Sequence, residues 1–286
     1  MSQRSDFRHF ERLRVRWVEV DMQKIVFNGH YLTYIDTAVA GYWRALAMPY
    51  HEVMELLQGD LYVRKATLEY EGSARYDDQL DVGVRCARIG NSSVVFEGAV
   101  FRAEERLVLG ELVYVFADPA TMRSKAVPPD LREVLLGFEA GKPMVDVRVG
   151  TWDQLGREAQ KIRSVVFIDE QKIPAEMEWD AADAECVHAV AYNRFGMALA
   201  TGRLLEHVPG TAKIGRMAVL PAMRGSNIGR AVLDALMAVA RAQGEREVLL
   251  HAQISAAGFY QRAGFQTRGP QFDEAGIAHV EMVRVL

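Results

Sequence analysis

The stretch from Met217 to Leu236, MAVLPAMRGSNIGRAVLDAL, runs from an apolar segment through a small, polar turn into a helical pattern. Beyond the turn, Ile228, Ala231, Val232, Ala235, Leu236 and Val239 recur at helical intervals, and Gly244 ends the run. A strand that enters a helix through Gly225, Ser226, Asn227 and Gly229 bares backbone N–H groups at the positive end of a helix dipole. Such a turn is a cradle for phosphate. It is not a P-loop, because the lysine of G-x-x-x-x-G-K-(S/T) is missing. Nor does it have the G-x-G-x-x-G spacing of a dinucleotide fold.

Outward from this turn, MVDVRVG reads as a strand and residues 152–167 as a helix with Leu155, Ala159, Ile162 and Val166 on one side. Strand-like stretches over 186–220 break at Asn193–Gly196 and at Pro209-Gly210. After the second helix come a short strand, EVLLHAQ, a helix in SAAGFYQRAGF and a last strand. That order predicts a mixed α/β sheet.

These residues resemble the GNAT superfamily of N-acetyltransferases over about residues 145–286. Arg224-Gly225-Ser226-Asn227-Ile228-Gly229 is similar to the family's (Q/R)-x-x-G-x-(G/A) loop, with Asn227 in place of its middle glycine. Asparagine tolerates left-handed backbone angles best after glycine, so the loop shape is expected to survive. LLHAQISAAGFYQRAGF resembles the following strand and helix, and VFIDEQKIPAEMEWDAADAECVHAVAY the front half of a bacterial subgroup. The resemblance implies that the loop and the adjoining Arg230 hold the pyrophosphate of acetyl-CoA. Met217, Ala218 and Val219 would grip pantetheine, Gln253 would support the loop, and Tyr260 would protonate the departing thiolate. An amine acceptor must lose a proton. Glu170, Glu178, Glu206 and His251 all remain open as the base.

A seam lies near residues 137–144, where Gly141 and Pro143 follow a short helical pattern from Leu131. The expected domains are residues 1–140 and 141–286. In the first, HYLTYIDTAVAGYWRALAM places Tyr31, Tyr34, Ile35, Ala38, Val39, Tyr42 and Leu46 at the spacing of a largely buried helix. Strand-like segments follow near 60–70, 79–89, 93–103 and 107–117. LVLGELVYVF is apolar on both faces and reads as a central strand. One buried helix and an antiparallel sheet make an α+β arrangement.

In RVRWVEVDMQKIVFNGHYLTYID, Asp21 follows a strand and Asn28 stands at the expected helix N-cap. Unpaired N–H groups there can polarise a carbonyl while a nearby carboxylate attacks it or activates water. By spacing alone, a turn acid and an ordinary cap explain the same residues. The segment resembles the signature of the 4-hydroxybenzoyl-CoA thioesterase-like hotdog family, as do ARYDDQLDV and RIGNSSVVFEGAVFR, so that the likeness covers nearly all of residues 8–120. It implies a long helix wrapped by an antiparallel sheet, homodimers with interfacial sites, and hydrolysis of acyl-CoA thioesters. Asp21 would be the catalytic carboxylate, a backbone N–H of Asn28 or Gly29 the oxyanion donor, and His30 a supporting residue. The family's H-x-N order is reversed here to Asn28-Gly29-His30.

Bulk properties agree with small-molecule work. The 286 residues carry a net charge of -4, which provides no general attraction to nucleic acid or an anionic membrane. The seven histidines and two cysteines nowhere take metal-ligand spacing, so no metal is expected. Cys86 and Cys186 fit a reducing compartment better than a disulfide framework. The charged start MSQRSDFRHFERLRVRW is unlike a secretory signal, and no apolar run reaches membrane-spanning length; a cytoplasmic protein is expected. The combined expectation is a bifunctional acyl-CoA hydrolase and acetyl-CoA-dependent N-acyltransferase. The alternative is that one domain is catalytically silent, as an acyl-CoA sensor or a dimerisation scaffold.

Overall fold

Ile35 marks where the N-terminal fold closes on itself. It lies on α1 (Asn28–Ala45), whose buried stripe of Tyr31, Tyr34, Ile35, Ala38, Val39 and Tyr42 is the one the spacing predicts. In the computed structural model, which describes residues 2–286, this helix rests on a five-stranded antiparallel sheet. Its strands are β1 (His9–Arg14), β2 (Asp60–Tyr70), β3 (Gln79–Ile89), β4 (Ser93–Arg102) and β5 (Glu105–Ala117), in the order β1-β3-β4-β5-β2. Gly98 and Gly110 sit opposite each other on β4 and β5. A Cβ at either would meet the Ile35 side chain at 2.4 Å or 2.8 Å. The paired glycines therefore let the helix approach the sheet closely. Strand β5 is interior, as its two apolar faces require.

Two further helices complete this unit, α2 (Tyr50–Leu56) and α3 (Pro129–Glu139). Glu139 ties α3 down: its Oε1 accepts from the Tyr42 hydroxyl at 2.6 Å and from the Cys86 N–H at 2.8 Å.

The chain divides into its two units between Met144 and Val145. The second unit carries β6 (Val145–Gly150), α4 (Trp152–Arg163), α5 (Ala175–Glu178), β7 (Val187–Asn193), β8 (Ala198–Val208) and β9 (Thr211–Val219). Then come α6 (Ile228–Ala242), β10 (Glu247–Gln253), α7 (Ala257–Arg262), β11 (Gln266–Glu274) and β12 (Ile277–Val285). The seven strands form one mixed sheet, β11-β12-β10-β9-β8-β7-β6, in which β9 and β10 are the parallel pair.

Three readings of the sequence need correction here. The helix expected over 152–167 is α-helical only to Arg163; a π-helical turn, Ser164–Glu170, follows through the β-branched pair Val165-Val166. After α7 there are two strands rather than one, joined by a turn in which Ala275 and Gly276 take φ of 56° and 78°. Asp273 stabilises that turn by accepting the Gly276 N–H. Before α1, strand β1 ends at Arg14, so Asp21 follows a 3-10 turn, Trp17–Glu19, and the first residue of an isolated bridge, Val20 to Val26.

Candidate functional sites

In the N-terminal unit, the Val20–Val26 bridge folds residues 20–26 into a tight turn. The Asp21 N–H donates to the Ile25 carbonyl, and the Lys24 N–H to the Asp21 carbonyl. Lys24 takes φ 63° to close the turn. The Asp21 carboxylate accepts one internal bond, from the Gln23 N–H at 2.7 Å, and is half-buried. Glu19 anchors the turn to α1: it is buried, pairs with Arg16 at 2.6 Å and accepts from the Tyr34 hydroxyl at 2.9 Å. Burial pushes the Glu19 carboxyl up, but the hydrogen bonds from Arg16 and Tyr34 outweigh it and hold the group below the usual carboxylate range. Glu19 is thus a neutralised strut, and Asp21 is the acid whose charge is not spent on an ion pair among the described residues.

The helix begins one residue earlier than Asn28 as N-cap would require. Phe27 is the cap residue, with ψ 131°, because its N–H is held by the Glu19 carbonyl while its own carbonyl takes the His30 N–H. Asn28 and Gly29 therefore occupy the first helical turn, and their N–H groups find no acceptor among the described residues. The Phe27 ring covers Gly29 so closely that a Cβ there would meet it at 2.9 Å. His30 is half-buried and lies edge-on to Phe27. Around this site Trp17, Val18, Met22 and Tyr76 leave large apolar surfaces exposed.

The C-terminal site grows from a gap in its sheet. Strands β9 and β10 pair only from Thr211–Ile214 and Glu247–Leu250, then separate. A register shift between Thr201 and Arg203 on the β8 side, with Arg216 at φ 51°, marks the same place on β9. Beyond the gap a cavity of about 620 Å3 brings together Met217, Ala218, Val219, the loop Arg224–Arg230 except Ser226, Gln253 and Tyr260. Ser226 instead turns its hydroxyl onto the Met223 carbonyl and shapes the loop from within.

Gly225 and Asn227 both take left-handed angles, φ 83° and 64°. Asn227 thereby caps α6, and the N–H groups of Gly225, Asn227, Ile228, Gly229 and Arg230 have no acceptor among the described residues. Gly229 is needed for a different reason: a Cβ there would press on Val219 at 3.0 Å. Substituting Asn227 by alanine is expected to destabilise the C-terminal unit by about 1 kcal/mol, since alanine lacks asparagine's tolerance of this conformation. Substitution by glycine should leave stability equal or slightly higher, and urea unfolding of both variants checks the pair.

A second cavity, of about 410 Å3, shares Gln171, Met217, Gln253, Ala256 and Tyr260 with the first. Tyr260 is 8% exposed. Burial raises its hydroxyl to about 12, so it stays protonated at neutral pH. Gln253 donates to Gln171 at 2.9 Å, and both residues line both cavities.

The four candidate bases separate clearly. Glu170 lines the larger cavity but is gripped by both Arg224 amino groups, at 2.7 Å and 2.5 Å, which hold it below the usual range. Glu178 lines the smaller cavity with Arg163 and Arg216 on its carboxylate. Glu206 is exposed and lines neither cavity. His251 lines the smaller cavity beside Lys213 and Glu274.

One feature had no sequence signal. Arg163, Arg203 and Arg216 interleave with Glu178, Asp180 and Asp183 in a continuous network that walls the smaller cavity. Each of these charges is ordinary for an exposed surface; only the fold buries most of them together.

The two units define a chain that couples a hotdog fold to the mixed sheet and phosphate-type loop of an N-acyltransferase fold. The thioesterase superfamily matches residues 23–109 and the acetyltransferase (GNAT) domain residues 159–286. The Bacillus subtilis (strain 168) uncharacterized protein YyaT is 36% identical over 130 residues, 44% of this chain and 86% of its own. The uncharacterized N-acetyltransferase YjcF of the same organism is 32% identical over 129 residues, 45% of this chain and 91% of its own. Over the first unit, the acyl-CoA thioester hydrolase YbgC of Escherichia coli O157:H7 is 27% identical over 123 residues, 42% of this chain and 89% of its own. The chain belongs to the GNAT acetyltransferase family through its second unit and carries a thioesterase-superfamily domain as its first.

Proposed function

We propose that the protein is a bifunctional enzyme, an acyl-CoA thioester hydrolase at the Asp21 site and an acetyl-CoA-dependent N-acyltransferase at the Tyr260 site. The domains assigned to these activities are residues 1–140 and 141–286. The observation that carries the reading is the larger cavity, in which unpaired N–H groups of the α6 turn and the separated strands β9 and β10 converge on Tyr260. N–H groups in such an array suit a diphosphate. The free edge of β9 suits pantetheine amides, and the second cavity gives an amine a separate entrance to the same hydroxyl.

In transfer, the amine nitrogen attacks the thioester carbonyl, the C–S bond breaks, and Tyr260 gives its proton to the thiolate. In hydrolysis, Asp21 attacks the carbonyl or activates water, while the Asn28 and Gly29 N–H groups stabilise the oxyanion. The exposed apolar side chains around Asp21 favour a homodimer that completes this site. Both activities belong in the cytoplasm, with buried, unbridged Cys86 and Cys186; no helix of the described residues is long and apolar enough to cross a membrane. If both sites used one thioester they would compete, so the hydrolase takes larger acyl groups and the transferase acetyl.

The test follows free thiol released from a panel of acyl-CoA thioesters, with and without a pool of primary amines. Amine-dependent release from acetyl-CoA should fall by about 10²-fold in Tyr260→Phe, which keeps the ring and removes only the acid. Hydrolysis of larger acyl groups should be unchanged in that variant. Acyl-CoA binding by the N-terminal unit without turnover would instead make it a silent sensor or a dimerisation scaffold. Acetyl-CoA hydrolysis lost in Asp21→Asn would refute the division of acyl groups.

A further inference from the structure

Resting on the transferase reading, we infer that His251 is the base that deprotonates the acceptor amine, and that Glu274 is its positioning residue. Of the four acids and bases open on sequence grounds, Glu170 and Glu178 have their carboxylates committed to arginines, and Glu206 faces solvent outside both cavities. His251 lies on β10 immediately after the last β9–β10 pair, Ile214 with Leu250, so it stands where the sheet opens. It shares the smaller cavity with Tyr260, the group assigned to the leaving thiolate. The proposed acid and base thus border one cavity from adjacent elements, β10 and α7.

The imidazole is held from several sides. Its Nδ1 lies 3.2 Å from Oε2 of Glu274, the last residue of β11. Beside that carboxylate, the neutral imidazole keeps one ring nitrogen with a lone pair to accept a proton. Phe272 packs edge-on against the ring at 4.9 Å. The charged neighbours are Lys213 on β9, 3.4 Å from Nδ1, and Glu281 on β12, 4.0 Å from Nε2. Glu281 is itself drawn to Arg268 at 2.5 Å. His279, on β12, and Glu178, at the end of α5, also line the cavity. Burial lowers Lys213, the lysine beside the imidazole.

The protons balance. An ammonium acceptor loses two protons in becoming an amide: His251 takes one and returns it to solvent, and the other reaches the coenzyme sulfur through Tyr260. Nitrogen forms the new C–N bond as the C–S bond breaks, and both side chains end as they began.

The test uses the full chain with acetyl-CoA and the best acceptor from the amine panel. Binding of acetyl-CoA is measured by titration calorimetry, and kcat and kcat/KM are followed across pH. His251→Gln should bind acetyl-CoA as the wild type does, lose about 10²-fold in kcat and lose the acid limb of its pH profile. Glu274→Gln should keep the limb but move it to lower pH, because a neutral amide no longer favours the imidazolium. Lys213→Met should move it to higher pH by removing a like charge. A purely structural Glu274 would leave the limb in place and overturn the positioning role. His251→Gln with wild-type kcat, or with the limb intact, overturns the assignment of the base alone. A wild-type protein that fails to bind acetyl-CoA overturns the transferase reading and this assignment together.

Discussion

Asp21→Asn is expected to lower hydrolysis of acyl-CoA thioesters by about 10³-fold, whichever of nucleophile or general base the carboxylate serves as. The substitution is close to isosteric, and its amide oxygen can still accept the Gln23 N–H that closes the turn. Stability should therefore change by no more than about 0.5 kcal/mol. Glu19 cannot replace the lost charge. It is buried two residues away with its oxygens occupied by Arg16 and Tyr34. Thiol release from a long-chain acyl-CoA measures the loss, and amine-dependent release from acetyl-CoA in the same preparation serves as the control. Hydrolysis that persists at the wild-type rate would remove Asp21 from the chemistry. Loss of both activities together would point to misfolding or to a single shared site.

Much of the fold was legible because its signals are local. The apolar stripe of α1 needs only the period of a helix, and the turn before α6 needs only residues that accept positive φ between a strand and a helix. What sequence reasoning missed depends on approach between distant segments. The tyrosine stripe says nothing of Gly98 and Gly110, which let Ile35 sink into the sheet. The cap at Phe27 was hidden because it uses no side chain: a backbone bond to Glu19 fixes it, while Asn28 has the composition of a cap without the position. Tyr260 and the loop residues came only from the resemblance; all of them but Ser226 line one cavity. Choosing among four possible bases needed the partners of each, and those partners come from strands and turns far away in sequence. The β11–β12 turn that brings Glu274 to His251 was itself absent from the expected strand order.

Arg163 gives the second large effect, this time on stability. It ends α4, on which Arg157 and Lys161 are exposed, yet it is itself 1% exposed. Its Nε donates to Glu178 at 2.5 Å and one amino group to Asp183 at 2.8 Å, with Trp179 against its guanidinium at 4.7 Å. Replacing it by methionine fills similar length but leaves two buried carboxylates short of a partner. The expected cost is about 3–5 kcal/mol. Urea unfolding should show it as an earlier transition of the C-terminal unit, with that of the N-terminal unit unmoved. The pH dependence has a definite sign. Burial raises Glu178, against the pull of Arg163 and Arg216, whereas burial of Asp183 is outweighed by its bonds from Arg163 and Arg203 and the net effect is a lowering. A raised group stabilises the fold when protonated and loses that contribution as pH rises through its folded value. With Arg163 gone, Glu178 moves further that way, so the variant's deficit should be largest at neutral pH and shrink as pH falls toward the ordinary glutamate range. Asp183, deprived of one of its two arginines, changes the deficit in the same direction but less, because it retains Arg203 at 2.6 Å. Adding Glu178→Met to Arg163→Met should recover most of the loss, because the remaining Arg203, Arg216, Asp180 and Asp183 balance in charge and still pair. A double variant no more stable than Arg163→Met would show that packing by the arginine, rather than its charge, holds this wall of the smaller cavity.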